Sequence, residues 1–230
     1  MKISLAILFF LFAFITSETK SAMTRQSFQV DNPKLKEHFV DSSNIGRKKL
    51  NKIELSLYSN EDTAYVSIKF YSKTFGKSWK LKQTFSFEKD AVTSLDTKLS
   101  DFNNDGLKDM TYISNVAARG ANEVRRLFIY DKSKDKIILM KNSEDYPNML
   151  YNKELNCIDA FLVYGGCSTV FLNIRGDSLK QFASVELFDG LTVSTYDKSG
   201  TEKIILQDKT NKAGYIRYKN FRPLKEYNNY

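Results

Sequence analysis

Short runs in which apolar and β-branched side chains alternate with polar ones follow one another along this chain, each closed by a cluster of turn residues. Alternation with a period of two gives a segment one face for a core and one for water, which is the mark of a half-buried strand. Such runs cover 52–58, 64–71, 79–87, 93–99, 110–115, 123–130, 136–139, 158–164, 169–174, 179–187, 192–196, 202–207 and 215–218. Their separators, such as Ser59-Asn60-Glu61-Asp62 and Arg175-Gly176-Asp177-Ser178, are turn-rich and short. That spacing predicts an all-β domain of antiparallel hairpins. The pattern leaves two closures open, a β-sandwich and a small propeller-like array of sheets.

The chain begins with Lys2 and a largely apolar run from Ile3 to Ile15, then turns polar from Thr16. A basic start, a short apolar core and small residues beyond it describe a secretory signal peptide, read as 1–22, and the run is shorter than the ~20 residues of a membrane span. The expected location is therefore periplasmic or secreted, with no membrane span after cleavage. Residues 23–230 are long enough for one good-sized domain. Within it 23–49 reads as an irregular segment, with a short helix at 33–38 because Pro33 suits a first helical turn. Beyond residue 22, 33 Lys and Arg face 26 Asp and Glu, net +7. The excess is spread as Lys, with one dense run at Arg47-Lys48-Lys49 and no nucleic-acid motif, so nucleic acid is not an expected partner.

The stretch Asp101-Phe102-Asn103-Asn104-Asp105-Gly106-Leu107-Lys108-Asp109 follows the pattern D-x-N-x-D-G-x-x-D. Hard cations such as Ca²⁺ take six to eight oxygen ligands, and alternate positions of a tight loop can turn several inward. The predicted calcium ligands are the side chains of Asp101, Asn103, Asp105 and Asp109 and the Leu107 carbonyl, with Gly106 at the sharp turn. An acidic surface turn is the other reading, since Asp, Asn and Gly are also the commonest turn residues. The loop is not an EF-hand: its twelfth position is Tyr112 where a bidentate Glu is needed, and both flanks read as strands.

No constellation for turnover stands out. The single His38 has no nucleophile motif near it, and one His with two Cys does not make a tetrahedral zinc site. The expectation is a protein that binds rather than catalyses. Cys157 and Cys167 are the only cysteines, and an exported chain favours their pairing. A two-residue turn at Gly165-Gly166 would instead hold the sulfurs ~20 Å apart along the strands, so the disulfide stays open. Tyr164, Gly165, Gly166 and Ser168 form one candidate partner-binding loop, and Arg119 in Asn115–Gly120 is a second candidate.

The acidic loop between strands resembles the calcium loop of FG-GAP and VCBS repeats, although it occurs once. In longer order, LSDFNNDGLKDMTYIS, then VRRLFIYDKSKDKII, a Gly-containing hairpin and GDSLKQFASVELFD resemble a family of exported bacterial proteins with one calcium loop, similar to periplasmic lysozyme inhibitors and immunity proteins. The resemblance covers about 95–189. It implies a protein partner, a lysozyme-like peptidoglycan hydrolase whose cleft is occluded, with calcium as the bound ion. The Ser-Gly-x-x-Tyr loop of some such inhibitors is absent, because Ser199-Gly200 is followed by Thr201-Glu202-Lys203. A competing expectation is an envelope adhesion or carbohydrate-binding module with the same ion, which exposed aromatics around Trp79 would favour.

Overall fold

The computed structural model describes residues 33–60, 63–211 and 213–228, so the predicted signal peptide at 1–22 lies outside the described residues. The chain is all-β. Its first sheet is a meander of β1 (Lys34–Asp41), β2 (Asn51–Ser59), β3 (Ala64–Ser72) and β4 (Lys80–Lys89). A second meander holds β5 (Lys98–Ser100), β6 (Asp109–Ala117), β7 (Asn122–Asp131) and β8 (Lys136–Leu139). The third runs through six strands, β9 (Leu150–Asn152), β10 (Cys157–Val163), β11 (Cys167–Arg175), β12 (Ser178–Leu187), β13 (Leu191–Tyr196) and β14 (Glu202–Asp208), and a hairpin of β15 (Tyr218–Phe221) and β16 (Leu224–Glu226) ends the chain. Neighbouring strands pair antiparallel, as short connections require.

The three sheets stack face on face, and strand periodicity shows why. In β7, Phe128 and Tyr130 point to a core shared with Ile53, Leu55, Val66, Ile68 and Phe70 of the first sheet. Leu127 and Ile129 point the other way, to Ile158, Ala160, Val170 and Leu172 of the third. A strand buried on both faces reads as a continuous apolar run, which is what Leu127-Phe128-Ile129-Tyr130 is. Phe128 anchors the first core, with its ring 5.3 Å from Phe85 and edge-on to it. On its far side the third sheet packs Phe171, Val185 and Val193 against Tyr218, Ile216 and Phe221 of the chain's end. Stacked four-stranded meanders are propeller-like, yet the stack stays open: the first sheet's outer face is the solvent side of an alternating strand, with Lys52, Glu54, Ser56 and Tyr58 on it.

Two sequence expectations change here. The helix at 33–38 is instead the start of β1, which pairs with β2 from Lys34 opposite Ser59 to Asp41 opposite Ile53. Phe39 packs on the first core and the Glu37 carboxylate accepts the Leu95 N–H at 2.8 Å, so long-range pairing overrides the local Pro signal. Pro33 sits just ahead of the strand, where no ladder N–H is required of it. The predicted strand at 93–99 is mostly the crossover between the first two sheets, and only Lys98–Ser100 is strand.

Candidate functional site

The two stretches singled out in the sequence lie at opposite ends of β6. The acidic loop enters that strand at Asp109, and the Ala118–Gly120 turn leaves it after Ala117, ~26 Å away at about 3.3 Å per residue.

At the first end the acidic loop winds around its own oxygens. The Asp101 carboxylate accepts the N–H groups of Asp105 at 3.2 Å and Gly106 at 2.8 Å. Asn103 accepts from the Asp105 N–H and donates to the Asp105 carboxylate, whose other oxygen takes the Leu107 N–H at 2.8 Å. Asn104 at φ 60° and Gly106 at φ 81° make the reversal. Asp109 is fully buried, and its two oxygens accept the N–H groups of Phe102 and Tyr130, each at 2.8 Å. Burial pushes its carboxyl up to about 7; the two backbone hydrogen bonds oppose this, and the charges of Asp105 and Asp101 add to it. Among the described residues no three His, Cys, Asp or Glu side chains gather closely enough to hold a metal by themselves. A polar cluster adjoins the loop, in which Asp135 accepts from Asn51, Ser72 and Tyr130 and pairs with Arg47 at 2.6 Å.

At the second end the structure joins the two candidate partner surfaces. Asn122, just after the Ala118–Gly120 turn, clamps Val163 just before the glycine loop: its amide donates to the Val163 carbonyl and its oxygen accepts the Val163 N–H, both at 2.9 Å. Asn148 ties the same elements by donating to the carbonyls of Ala121 at 2.9 Å and Phe161 at 2.8 Å. Arg119 is exposed, and it and Ala118 both hold positive φ, 57° and 50°. Left-handed backbone at two consecutive non-glycine residues costs on the order of 1 kcal/mol each and persists where neighbours enforce it.

The glycine loop has three residues, Tyr164-Gly165-Gly166, because Val163 faces Cys167; the two-residue turn is thereby corrected. A Cβ on Gly166 would lie 2.2 Å from the Leu187 carbonyl oxygen, and one on Gly190 at φ 99° would lie 2.6 Å from that of Asp208. The glycines thus let the loops pack backbone to backbone. Three rings stand out from that base: Phe188 at 69% exposure, Tyr215 at 60% and Tyr164 at 41%, with Tyr164 and Phe188 centroids 6.2 Å apart. The Tyr164 hydroxyl donates to Glu186 at 2.6 Å. A cavity of about 260 Å³ opens between Gly165, Gly166, Phe188, Gly190 and Tyr215.

One predicted role is altered and two open points are answered. Ser168 is 8% exposed and sits in the ladder between Leu162 and Glu186, so it offers no partner contact. Cys157 and Cys167 are both free and buried; Cys157 lies six positions along β10 from Val163, the residue opposite Cys167, which places the sulfurs ~20 Å apart. Trp79 is half-buried with the Lys73 ammonium 4.1 Å above its ring, and Lys52 sits over Tyr71 at 4.1 Å, so each ring already has an ammonium over one face. Phe188, Tyr215 and the two clamping asparagines escaped the sequence reading, since no local pattern marks residues that meet only through sheet stacking.

No family model matches the chain, and no curated protein matches it. Among solved structures, that of a Xanthomonas type IV secretion system related protein aligns with a TM-score of 0.47 at 10% identity, covering 76% of this chain and 96% of that one. A likeness at that level says nothing about what this chain does. No helix among the described residues is long and apolar enough to cross a membrane.

Proposed function

We propose that this is an exported binding protein that acts through the end of the molecule where the Ala118–Gly120 turn meets the glycine loop. The observation that carries the reading is the trio of exposed rings, Tyr164, Phe188 and Tyr215, on a base of close-packed glycine loops. Contiguous exposed apolar surface marks interaction sites, and rigid aromatic anchors dominate binding energy in protein interfaces. The partner is a lysozyme-like peptidoglycan hydrolase, whose cleft the protruding loop occludes; this finer step rests on the resemblance of 95–189 to exported inhibitor and immunity proteins.

The acidic loop serves as a calcium clip in this reading. Asp101, Asn103, Asp105 and the Leu107 carbonyl would hold the ion, with Asp109 completing the set through lone pairs not taken by Phe102 and Tyr130 N–H groups. The ion would supply positive charge among three carboxylates and tie β5 to β6. Its effect on the partner surface would travel through β6, since the two ends do not touch.

The test is a panel of peptidoglycan hydrolases assayed with the protein, with and without a calcium chelator. Inhibition of at least one member supports the reading, and none with an intact fold sinks it. For the ion, calcium should raise the melting temperature of the wild type and leave Asp105→Ala unchanged, because a ligand bound only by the native state stabilises it. An equal rise in both proteins would refute the ligand assignment.

A further inference from the structure

We infer that the cavity between Phe188, Asp189 and Tyr215 receives an arginine side chain of the protein partner. The inference rests on the ring end being the binding surface, and it names the chemistry that this surface takes. Gly165, Gly166 and Gly190 give the cavity walls of bare backbone, and Phe188 and Tyr215, which also line it, are mostly exposed rings. Among the described residues of the lining, Asp189 alone carries a charge. In a chain of net +8 the cavity is a negative, aromatic spot.

The rings are held in place, and the carboxylate is not engaged. The Tyr215 hydroxyl donates to the Tyr164 carbonyl at 3.5 Å, and Tyr164 is itself tied by its hydroxyl to Glu186. The Phe188 ring stands against the glycine loop, since a Cβ on Gly165 would lie 3.4 Å from it. Other turn aspartates of the chain spend their carboxylates locally. Asp90, Asp131, Asp197 and Asp208 each accept the N–H two residues on, from Val92, Ser133, Ser199 and Thr210. Asp189 sits in the turn between β12 and β13, exposed, and among the described residues its carboxylate accepts from no donor and pairs with no cation.

Two unclaimed carboxylate oxygens side by side match the N–H fork of a guanidinium. The same planar group stacks on aromatic faces, where the ring quadrupole attracts a cation. A lysine ammonium is a point charge that makes neither the fork nor the stack. A partner carboxylate or phosphate would meet Asp189 and the ring faces with like charge. A neutral side chain would cover the rings but strip water from Asp189 and return no hydrogen bond, which is costly. At about 260 Å³ the cavity also falls below the size of small-molecule sites, roughly 300–1,000 Å³, and suits one long side chain.

The test is an NMR titration of the full chain with an acetylated and amidated Ala-Arg-Ala peptide, followed at the backbone N–H signals of Phe188, Asp189 and Gly190. Two matched peptides serve for comparison, one with lysine and one with citrulline, the uncharged isostere of arginine. The arginine peptide should shift these signals and bind about tenfold more tightly than the citrulline one and about threefold more tightly than the lysine one. Asp189→Asn changes an exposed side chain that bonds to nothing in the fold, and Phe188→Leu keeps the carboxylate; each should weaken binding at least about threefold. Equal binding of either comparison peptide, no shift at the three signals, or binding unchanged by either variant would each overturn the inference. A hydrolase inhibited equally by the wild type and Asp189→Asn would overturn it while leaving the proposed function standing. Arginine-specific binding with no hydrolase inhibited would do the reverse.

Discussion

The two ends of β6 are built on opposite principles. At the acidic end, side-chain oxygens fold back on backbone N–H groups within one short loop, and Asp109 carries the tie on to Tyr130. At the ring end, side chains are sent outward, and what lies beneath is glycine backbone packed against the carbonyls of Leu187 and Asp208. One end uses polarity to hold itself together; the other removes side chains so that strands approach closely and present apolar rings. The first design is structural by its chemistry, and the second leaves its largest groups unspent.

The contrast can be broken by substitution. Asp109→Ala should have the largest effect on stability, because it leaves the Phe102 and Tyr130 N–H groups buried without acceptors, at about 1–3 kcal/mol each. Denaturant unfolding measures it; a loss under about 1 kcal/mol would mean the carboxylate is not the lock described. Gly166→Ala comes next, at about 1–3 kcal/mol for a methyl forced against the Leu187 carbonyl, while Gly165→Ala, whose Cβ would stand 3.4 Å from the Phe188 ring, should cost little. Similar losses at both positions would remove the close-packing account.

Acid should distinguish the ends as well. Burial pushes the Asp135 carboxyl up, but hydrogen bonds from Ser72, Asn51 and Tyr130 and the charge of Arg47 outweigh it and hold the group below the usual range. A depressed carboxyl contributes stability that is present above its unfolded value, about 3.9, and is lost as pH falls through the folded value. Urea midpoints of the wild type should therefore drop below pH ~4 more steeply than those of Asp135→Asn; parallel curves would contradict the assignment. Smallest of all, Phe188→Ala and Tyr215→Ala should change stability by no more than about 0.5 kcal/mol, since both rings are mostly exposed. A large loss would mean that these rings hold the fold together rather than serve a partner.

Most strands of the three sheets were legible because their period-two alternation is local, and β8 at Lys136–Leu139 matches its predicted run residue for residue, whereas the short β9 at Leu150–Asn152 carried no such run. β1 was not, because an edge strand with Leu35 outside carries little pattern and is fixed by pairing with β2. Likewise the acidic loop is one contiguous motif whose internal hydrogen bonds follow from its own spacing. The ring end is assembled from four segments, around Ala118, Tyr164, Phe188 and Tyr215, that only the stacking of the sheets brings together. Arg119 and Gly165 were visible as unusual loop residues, but their adjacency depends on Asn122 reaching Val163, 41 residues away.

The central claim is that binding belongs to the ring end and not to the acidic end. Its most direct measurement is the inhibition constant toward a hydrolase found in the panel, compared for wild type, a Phe188→Ala/Tyr215→Ala double variant and Asp105→Ala, each confirmed folded. The account predicts that the double variant weakens inhibition by at least about a hundredfold, two anchor side chains' worth, while Asp105→Ala changes it by less than about threefold. Inhibition unaffected by the double variant, or lost on Asp105→Ala alone, would contradict it.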